Sequence, residues 1–472
     1  MTAPLFDGLL RYVEKQTIPF HMPGHKQGKG ILRADELKEN IFKIDLTEFL
    51  DTDNLHNAKG IILEAEQMAA AAFGAKRTFF LVNGTTGGIY AMMLSTLHPG
   101  EKLLIERSCH RSSFGGMILA GVKPAYIEPT VDFEDGISVG VTPESVERAI
   151  IENMDAAAVM VTYPNFYGLC MDIKSIADIV HRYDKILLVD EAHGVHFKFH
   201  EDLPMTALEA GADMVVQSAH KTLPSFTQSS LLHVGSDRID MDRLVFALRL
   251  VQTTSPSYLL MASLDLAREE LEDHPEMLDK AVKLSYMARE RLEGSRDIHV
   301  IDEDIIGQYG IVDIDPTKLV VNVKGLNMTG HEAEVILRDR YNIQVELSDM
   351  YNILPMITVG DREEDVMKLT DAILRLERNA NNKVIPITFD YKAPEIIYSP
   401  REASFMQKTR VPIVESVGRT AGDFLIPYPP GIPYVVPGEL ITTGIALEIE
   451  ELAAIGIEVV GYDNGYVNIL DI

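Results

Sequence analysis

From about residue 51 to residue 295, short apolar runs alternate with longer stretches of helical period. This alternation restricts the fold more than any other feature of the chain. The runs are Thr78–Val82, Lys102–Glu106, Pro124–Glu128, Ala157–Thr162, Ile186–Asp190, Met214–Gln217 and Leu231–Val234. Ile186-Leu-Leu-Val189 offers no polar side to water, as a strand covered on both faces requires. Most connections can hold a crossover helix, and the alanine-rich Gly60–Phe73 stretch reads as one helix. The pattern predicts an α/β domain over 51–295 with a mostly parallel, seven-stranded sheet, closed by helices near 256–271 and 275–295.

The flanking segments have other textures. Residues 1–50 read as an irregular, charge-rich N-terminal segment, because the Pro and Gly of Phe20-His-Met-Pro-Gly-His-Lys26 forbid a regular helix there. Residues 296–380 predict a smaller α+β domain, with strands at Leu319–Val323, Ile343–Leu347 and Met356–Val359 and helices near 330–340 and 362–377. Residues 381–472 are proline-rich, including Pro427-Tyr-Pro-Pro-Gly-Ile-Pro433, and predict a small C-terminal domain.

Charge and composition exclude several functions. The net charge of −28 makes the chain a poor ligand for nucleic acid, and no basic amphipathic face suggests a membrane surface. No apolar run approaches the roughly 18 residues of a membrane span, and the N-terminus lacks the pattern of a signal peptide. Two cysteines, Cys109 and Cys170, make neither a disulfide framework nor a cysteine-rich zinc site, so a cytoplasmic location is expected. The histidines near residues 21–25 and 193–200 match no zinc spacing, and no metal is expected.

Four loops follow predicted strands, at the sheet edge where ligands of open α/β folds bind. Asn83-Gly-Thr-Thr-Gly-Gly88 precedes a helix. Its small residues, the hydroxyls of Thr85 and Thr86 and the helix start suit a phosphate, although a Gly-rich turn reads similarly. Asp190, ending a buried strand before Glu191 and His193, needs a positive partner such as a protonated ring nitrogen, unless it caps the next turn. Lys221, in Gln217-Ser-Ala-His-Lys-Thr222, becomes a usable amine nucleophile if sheltered, and is a solvated surface lysine if not. His110, in Ser108-Cys-His-Arg-Ser-Ser113, reads as a general acid, a stacking ring or a satisfied polar residue. Together the loops offer a phosphate cradle, a flat ring, a carboxylate and an amine, which is what pyridoxal 5′-phosphate needs. Asp190-Glu-Ala-His193 also spells a helicase motif, but no Walker A loop accompanies it.

At these residues the chain resembles the Orn/Lys/Arg decarboxylases, which are fold-type-I pyridoxal-phosphate enzymes, and within them the compact bacterial arginine (or lysine) decarboxylase branch. The resemblance rests on Phe20–Lys26, Asn83–Gly87, Cys109–Ser112, Val189-Asp-Glu-Ala-His-Gly-Val-His196, Ser218–Lys221, Thr227–Ser230, Val345–Asn352 and Pro427–Pro433, in the family's order along the chain. It implies that Lys221 carries the cofactor, Asp190 pairs with the pyridine nitrogen, His110 stacks on the ring and His193 lies beside it. It further implies that Gly84, Thr85, Thr86, Ser218 and His220 hold the phosphate, and that Glu346 lies near the substrate's distal cation. A homodimer or higher homo-oligomer with shared active sites is implied, Thr253–Tyr258 being the neighbour's contribution. Thr222-Leu-Pro-Ser225 departs from the glycine-containing stretch of relatives, and Pro224 stiffens that loop.

The expected activity is decarboxylation of a basic amino acid, first L-arginine to agmatine and CO2, with lysine or ornithine as alternatives. Another fold-type-I reaction would share Lys221 and Asp190. An inactive, regulatory decarboxylase-like protein would be expected to lack one of them, and both are present.

Overall fold

The seven apolar runs of the first domain do assemble into one sheet. In this computed structural model, which describes residues 3–379, 393–428, 431–454 and 456–472, the strands are Arg77–Leu81, Lys102–Glu106, Lys123–Ile127, Ala156–Thr162, Ile186–Asp190, Met214–Gln217 and Ser230–Val234. Numbering these one to seven along the chain, their spatial order is 1-7-6-5-4-2-3. All pairs are parallel except those of Ser230–Val234, which runs antiparallel to both its neighbours.

Alternate side chains explain why the runs are continuously apolar. Leu104, Val159, Val161, Leu187 and Val189 enter one hydrophobic cluster, whereas Leu103, Ile105, Ala158, Met160 and Leu188 enter another on the opposite face. Helices cover both faces, so neither side of a strand meets water. The predicted helices lie at Ile61–Phe73, Tyr258–Asp273 and Glu276–Leu292.

The N-terminal segment is more regular than its charge suggested. Pro4–Glu14 is a helix with Pro at its first position, Ala34–Asn40 is a second, and Ile18–Phe20 is a strand. That strand pairs in parallel with Ile343–Val345, more than three hundred residues away. The Ile343–Leu347 run is therefore divided: Ile343–Val345 joins the N-terminal strand, and Leu347–Ser348 joins a four-stranded sheet with His299–Val300, Val321–Asn322 and Asn352–Leu354. Met356–Val359, expected as a strand, is buried backbone outside that sheet, with Met356 N–H donating to the Phe20 carbonyl at 2.9 Å. Helices Gly330–Tyr341 and Glu363–Leu374 agree with expectation.

The C-terminal unit has its own apolar cluster, including Val411, Ile413, Ile441, Ile449 and Ile469. Strands Lys408–Pro412 and Tyr466–Leu470 pair beside helix Thr443–Ala454. The expected boundary at 380/381 and two prolines of the Pro427–Pro433 stretch, Pro429 and Pro430, lie outside the described residues.

Candidate active site

Adjacent strands deliver the carboxylate and the amine. Val216 and Asp190 are register partners in the parallel Met214–Gln217 and Ile186–Asp190 strands. Asp190 therefore stands at a strand end, and Lys221 follows the neighbouring strand by one short helical turn, Ala219–Thr222. Asp190 is 3% exposed and accepts from Ala192 N–H at 3.2 Å. Burial pushes its pKa up, the Lys221 charge and the Ala192 bond pulling the other way. Burial also lowers Lys221 to about 8, against the opposing charges of Asp190 and Glu346. The amine is thus a nucleophile in reach of neutral pH, and the solvated-surface reading does not apply.

Lys221 Nζ lies 2.7 Å from His193 Nε2 and 5.7 Å from the centre of the Phe166 ring. Phe166 in turn packs on the His193 ring, centroids 4.9 Å apart. His193 is buried, and its pKa falls well below the ordinary value, first through desolvation and then through Lys221. Its Nδ1 is a buried polar atom with no partner among the described residues.

His110 caps the helix Arg111–Ala120. Its Nδ1 accepts from Ser112 N–H at 3.3 Å and lies 2.7 Å from Ser112 Oγ. Desolvation, then Lys221 and Arg111, lower it to about 4, so it presents a neutral ring at ordinary pH. Of its three sequence readings, the general acid is the least suited to such a pKa.

The candidate phosphate cradle is a hydroxyl cluster at a helix start. Helix Gly84–Thr96 begins at the end of strand Arg77–Leu81, with Gly84 at φ +66°, a conformation that favours glycine. Thr85 Oγ1 meets Ser218 Oγ in a short hydrogen bond and Ser230 Oγ at 3.1 Å. First-turn N–H groups of a helix have no intrahelical partner and favour an anion. Thr86 is half-buried on the same turn. His220 Nδ1 donates to the Ser229 carbonyl at 2.9 Å, and burial lowers its pKa to about 4. These residues fit pyridoxal phosphate: a hydroxyl-lined helix start, a flat neutral ring, a buried carboxylate and a sheltered amine.

Glu346 is largely buried, accepts from Met22 N–H at 2.7 Å, and feels the charges of Lys221, Lys26 and Lys318. The Phe20–Lys26 stretch thereby joins the site. Gly24 N–H donates to the His220 carbonyl at 2.9 Å, and a Cβ at Gly24 would stand 2.6 Å from the Thr222 backbone.

Sequence reasoning missed three supports. Phe166 carries no pattern that sets it apart from a core aromatic. A polar network runs beneath the site: Gln217 Nε2 donates to Glu191 at 2.6 Å, so Gln217 Oε1 accepts from His233 Nε2 at 2.9 Å, and His233 Nδ1 then accepts from Thr78 Oγ1 at 2.8 Å. Arg107, one residue from the Ser108–Ser113 loop, donates to the carbonyls of Pro433 at 2.7 Å and Tyr434 at 3.0 Å and to Glu439 at 3.1 Å. That clamp ties the C-terminal unit to the loop bearing His110; the proline-rich stretch was its only sequence trace.

The sheet order and the placement of amine, carboxylate and hydroxyls at one edge define the large-domain fold of the fold-type-I pyridoxal-phosphate enzymes. The structure superposes on the lysine decarboxylase of Francisella novicida with a TM-score of 0.77 at 22% identity, covering 95% of this chain and 78% of the other. It also superposes on the constitutive lysine decarboxylase of Escherichia coli, with a TM-score of 0.76 at 21% identity, covering 100% of this chain and 82% of the other.

The chain belongs to the Orn/Lys/Arg decarboxylase family. The family's model for the major domain matches residues 3–365, and that for the C-terminal domain matches residues 387–454. The arginine decarboxylase of Bacillus subtilis is 41% identical over 93% of this chain and 91% of its own length. That of Halalkalibacterium halodurans is 40% identical over 97% of this chain and 95% of its own length.

Proposed function

We propose that this protein decarboxylates L-arginine to agmatine and CO2 with pyridoxal 5′-phosphate, as a cytoplasmic homodimer or larger homo-oligomer. The observation that carries the reading is the placement of Lys221 and the buried Asp190 at one sheet edge, each under the other's charge, in a chain 41% identical to an arginine decarboxylase. The lysine decarboxylase of Pseudomonas aeruginosa is more distant, at 25% identity over 94% of this chain.

When bound, the cofactor supplies an electron sink for the Cα–carboxylate bond that breaks. Lys221 would hold its carbonyl carbon through the side-chain amine. Asp190 would hold a proton on the pyridine nitrogen, and that nitrogen would be the positive partner its own burial demands. His110 would offer a neutral imidazole to the ring. Gly84, Thr85, Thr86 and Ser218 hold the phosphate at the helix start. His220 flanks them, its ring fixed by the hydrogen bond between Nδ1 and the Ser229 carbonyl. Lys221 and His193, 2.7 Å apart, are the two groups placed to return a proton to Cα. Glu346 faces the substrate's distal cation.

Exposed apolar side chains near the N-terminus support self-association. Leu5, Phe6, Phe42, Phe49 and Leu50 are all more than half exposed. Thr253–Ser255 is likewise exposed, as a segment reaching a neighbour's site would be. Among the described residues no helix is long and apolar enough to cross a membrane.

The test is CO2 release by the purified, cofactor-loaded protein given arginine, lysine or ornithine separately, with the amine product identified. Release from arginine with agmatine is expected. Release from lysine or ornithine alone would reassign the substrate, and no release from any would refute the decarboxylase reading in favour of another pyridoxal reaction or a regulatory role.

A further inference from the structure

A cleft opens where the large sheet domain, the small domain and the C-terminal unit meet. Phe166 lines it, and the Phe166 ring also stands 5.7 Å from Lys221 Nζ, so one side chain borders both the cleft and the amine end of the site. Three carboxylates line it as well: Glu106 from the large domain, Asp349 from the small domain and Glu448 from the C-terminal helix Thr443–Ala454.

The three are not equivalent. Glu106 accepts from Ser108 Oγ and from Thr162 N–H at 3.1 Å. Asp349 accepts from Tyr167 O–H at 2.7 Å, Tyr351 N–H at 2.7 Å and Asn352 N–H at 2.8 Å. Their lone pairs are engaged in holding loops. Glu448 pairs with no cation among the described residues; Tyr434 is its hydrogen-bond partner and Glu451 adds a like charge. Burial is the main cause that raises it to about 7. A carboxylate that burial disfavours, without a cation, gains most from a cationic ligand. A second polar group points the same way. Ser138 lines the cleft, is 9% exposed, and its Oγ has no hydrogen-bond partner among the described residues.

We propose that Glu448 receives the distal cation of the substrate, so that the C-terminal unit supplies a specificity-determining contact across the cleft that Phe166 borders. This rests on the basic-amino-acid reading of the site and adds to Glu346 a contact from a different part of the chain. Guanidinium suits it, because a planar fork of N–H donors meets a carboxylate in two parallel hydrogen bonds. The Arg107 clamp holds the wall that bears Glu448 against the loop that bears His110.

The test combines calorimetric binding of agmatine to the holoenzyme with steady-state kinetics on arginine. Glu448→Gln is expected to weaken agmatine and to raise KM for arginine tenfold or more, with kcat nearly kept and the cofactor absorbance unchanged. Glu448→Asp should recover part of the loss. Glu451→Gln, which removes an equal charge from the exposed side of the same helix and acts on Glu448 only at a distance, should change both far less. Citrulline, the uncharged isostere of arginine, supplies a check that needs no variant, and it should bind at least tenfold more weakly. The proposal is overturned if Glu448→Gln behaves as Glu451→Gln does, if kcat falls as far as KM rises, or if citrulline binds as well as arginine. Wild-type protein that binds agmatine through Glu448 but releases no CO2 would refute the decarboxylase reading and leave the cation contact standing.

Discussion

Arg107 sits between a strand end and the His110 loop, and removing its charge should loosen the C-terminal unit more than any surface change. The guanidinium is 5% exposed and its partner Glu439 is 1% exposed. It lies 5.2 Å from the Tyr126 ring centre and 5.5 Å from that of Phe114, so the pair is dry. Arg107→Met would leave the Glu439 carboxylate buried, with its bonds from Val436 N–H and Tyr126, and strip the donors from two carbonyls. Breaking such a pair from one side costs about 3–5 kcal/mol. A several-domain chain does not unfold in one step, so a global midpoint is the wrong readout. Amide hydrogen exchange across helix Thr443–Ala454 is the right one. At about 1.4 kcal/mol per factor of ten, local opening there should rise by roughly two to three and a half orders of magnitude. Adding Glu439→Leu should restore part of the protection, because the orphaned charge goes with it; a coupling of about 2 kcal/mol is expected. Exchange that rises less than about fivefold in Arg107→Met would refute the argument that this pair holds the unit in place.

Other consequences are as sharp. With a pKa of about 8, roughly a tenth of Lys221 is deprotonated at pH 7, against about one in three thousand for an ordinary lysine. Cofactor capture by the apo-protein, followed by absorbance, should therefore climb about tenfold per pH unit below 8 and level off above it; an inflection near 10 would contradict the sheltered amine, and Lys221→Ala should capture none. Asp190→Asn removes a charge that raises Lys221, so the capture inflection should move below 8 while turnover falls by about 10²-fold or more; near-normal turnover would remove Asp190 from its ring-facing role. Gly24→Ala drives a methyl into the Thr222 backbone at 2.6 Å, and overpacking of that kind costs about 1–3 kcal/mol, read as lower stability together with weaker cofactor retention. Unchanged retention in the Gly24→Ala protein would show that the Phe20–Lys26 stretch does not set the Lys221 loop.

What could be read from the chain, and what could not, follows from how far each signal reaches. The large-domain strands were legible because a strand covered on both faces is apolar at every position, a local property: Leu187, Leu188 and Val189 divide between two clusters, and none needs a polar side. The placement of Lys221 and Asp190 at one sheet edge was legible for a related reason, since Asp190 ends one such run, Lys221 follows the next, and ligands of open α/β sheets bind at that edge. The same rule failed at Met356–Val359, where apolar residues report burial beside a single bridge, Lys318 to Met356, and not a strand. It failed again at Ile343–Val345, whose partner Ile18–Phe20 lies too far away in sequence for any window to connect. In helix Pro4–Glu14 the signals were present, with Pro at its start, Asp7 in its first turn and Arg11 in its last. The charge of the segment masked them. Phe166, Arg107 and Glu448 were invisible for a deeper reason. A phenylalanine, an arginine or a glutamate in a loop or helix has many ordinary uses, and only the docking of three parts of the chain around one cleft gives these their roles. Amine and carboxylate chemistry is thus written beside individual strands, whereas recognition of the substrate's far end is written in the packing between domains. Substrate preference within this family should therefore follow changes at that junction more closely than changes at the strand ends.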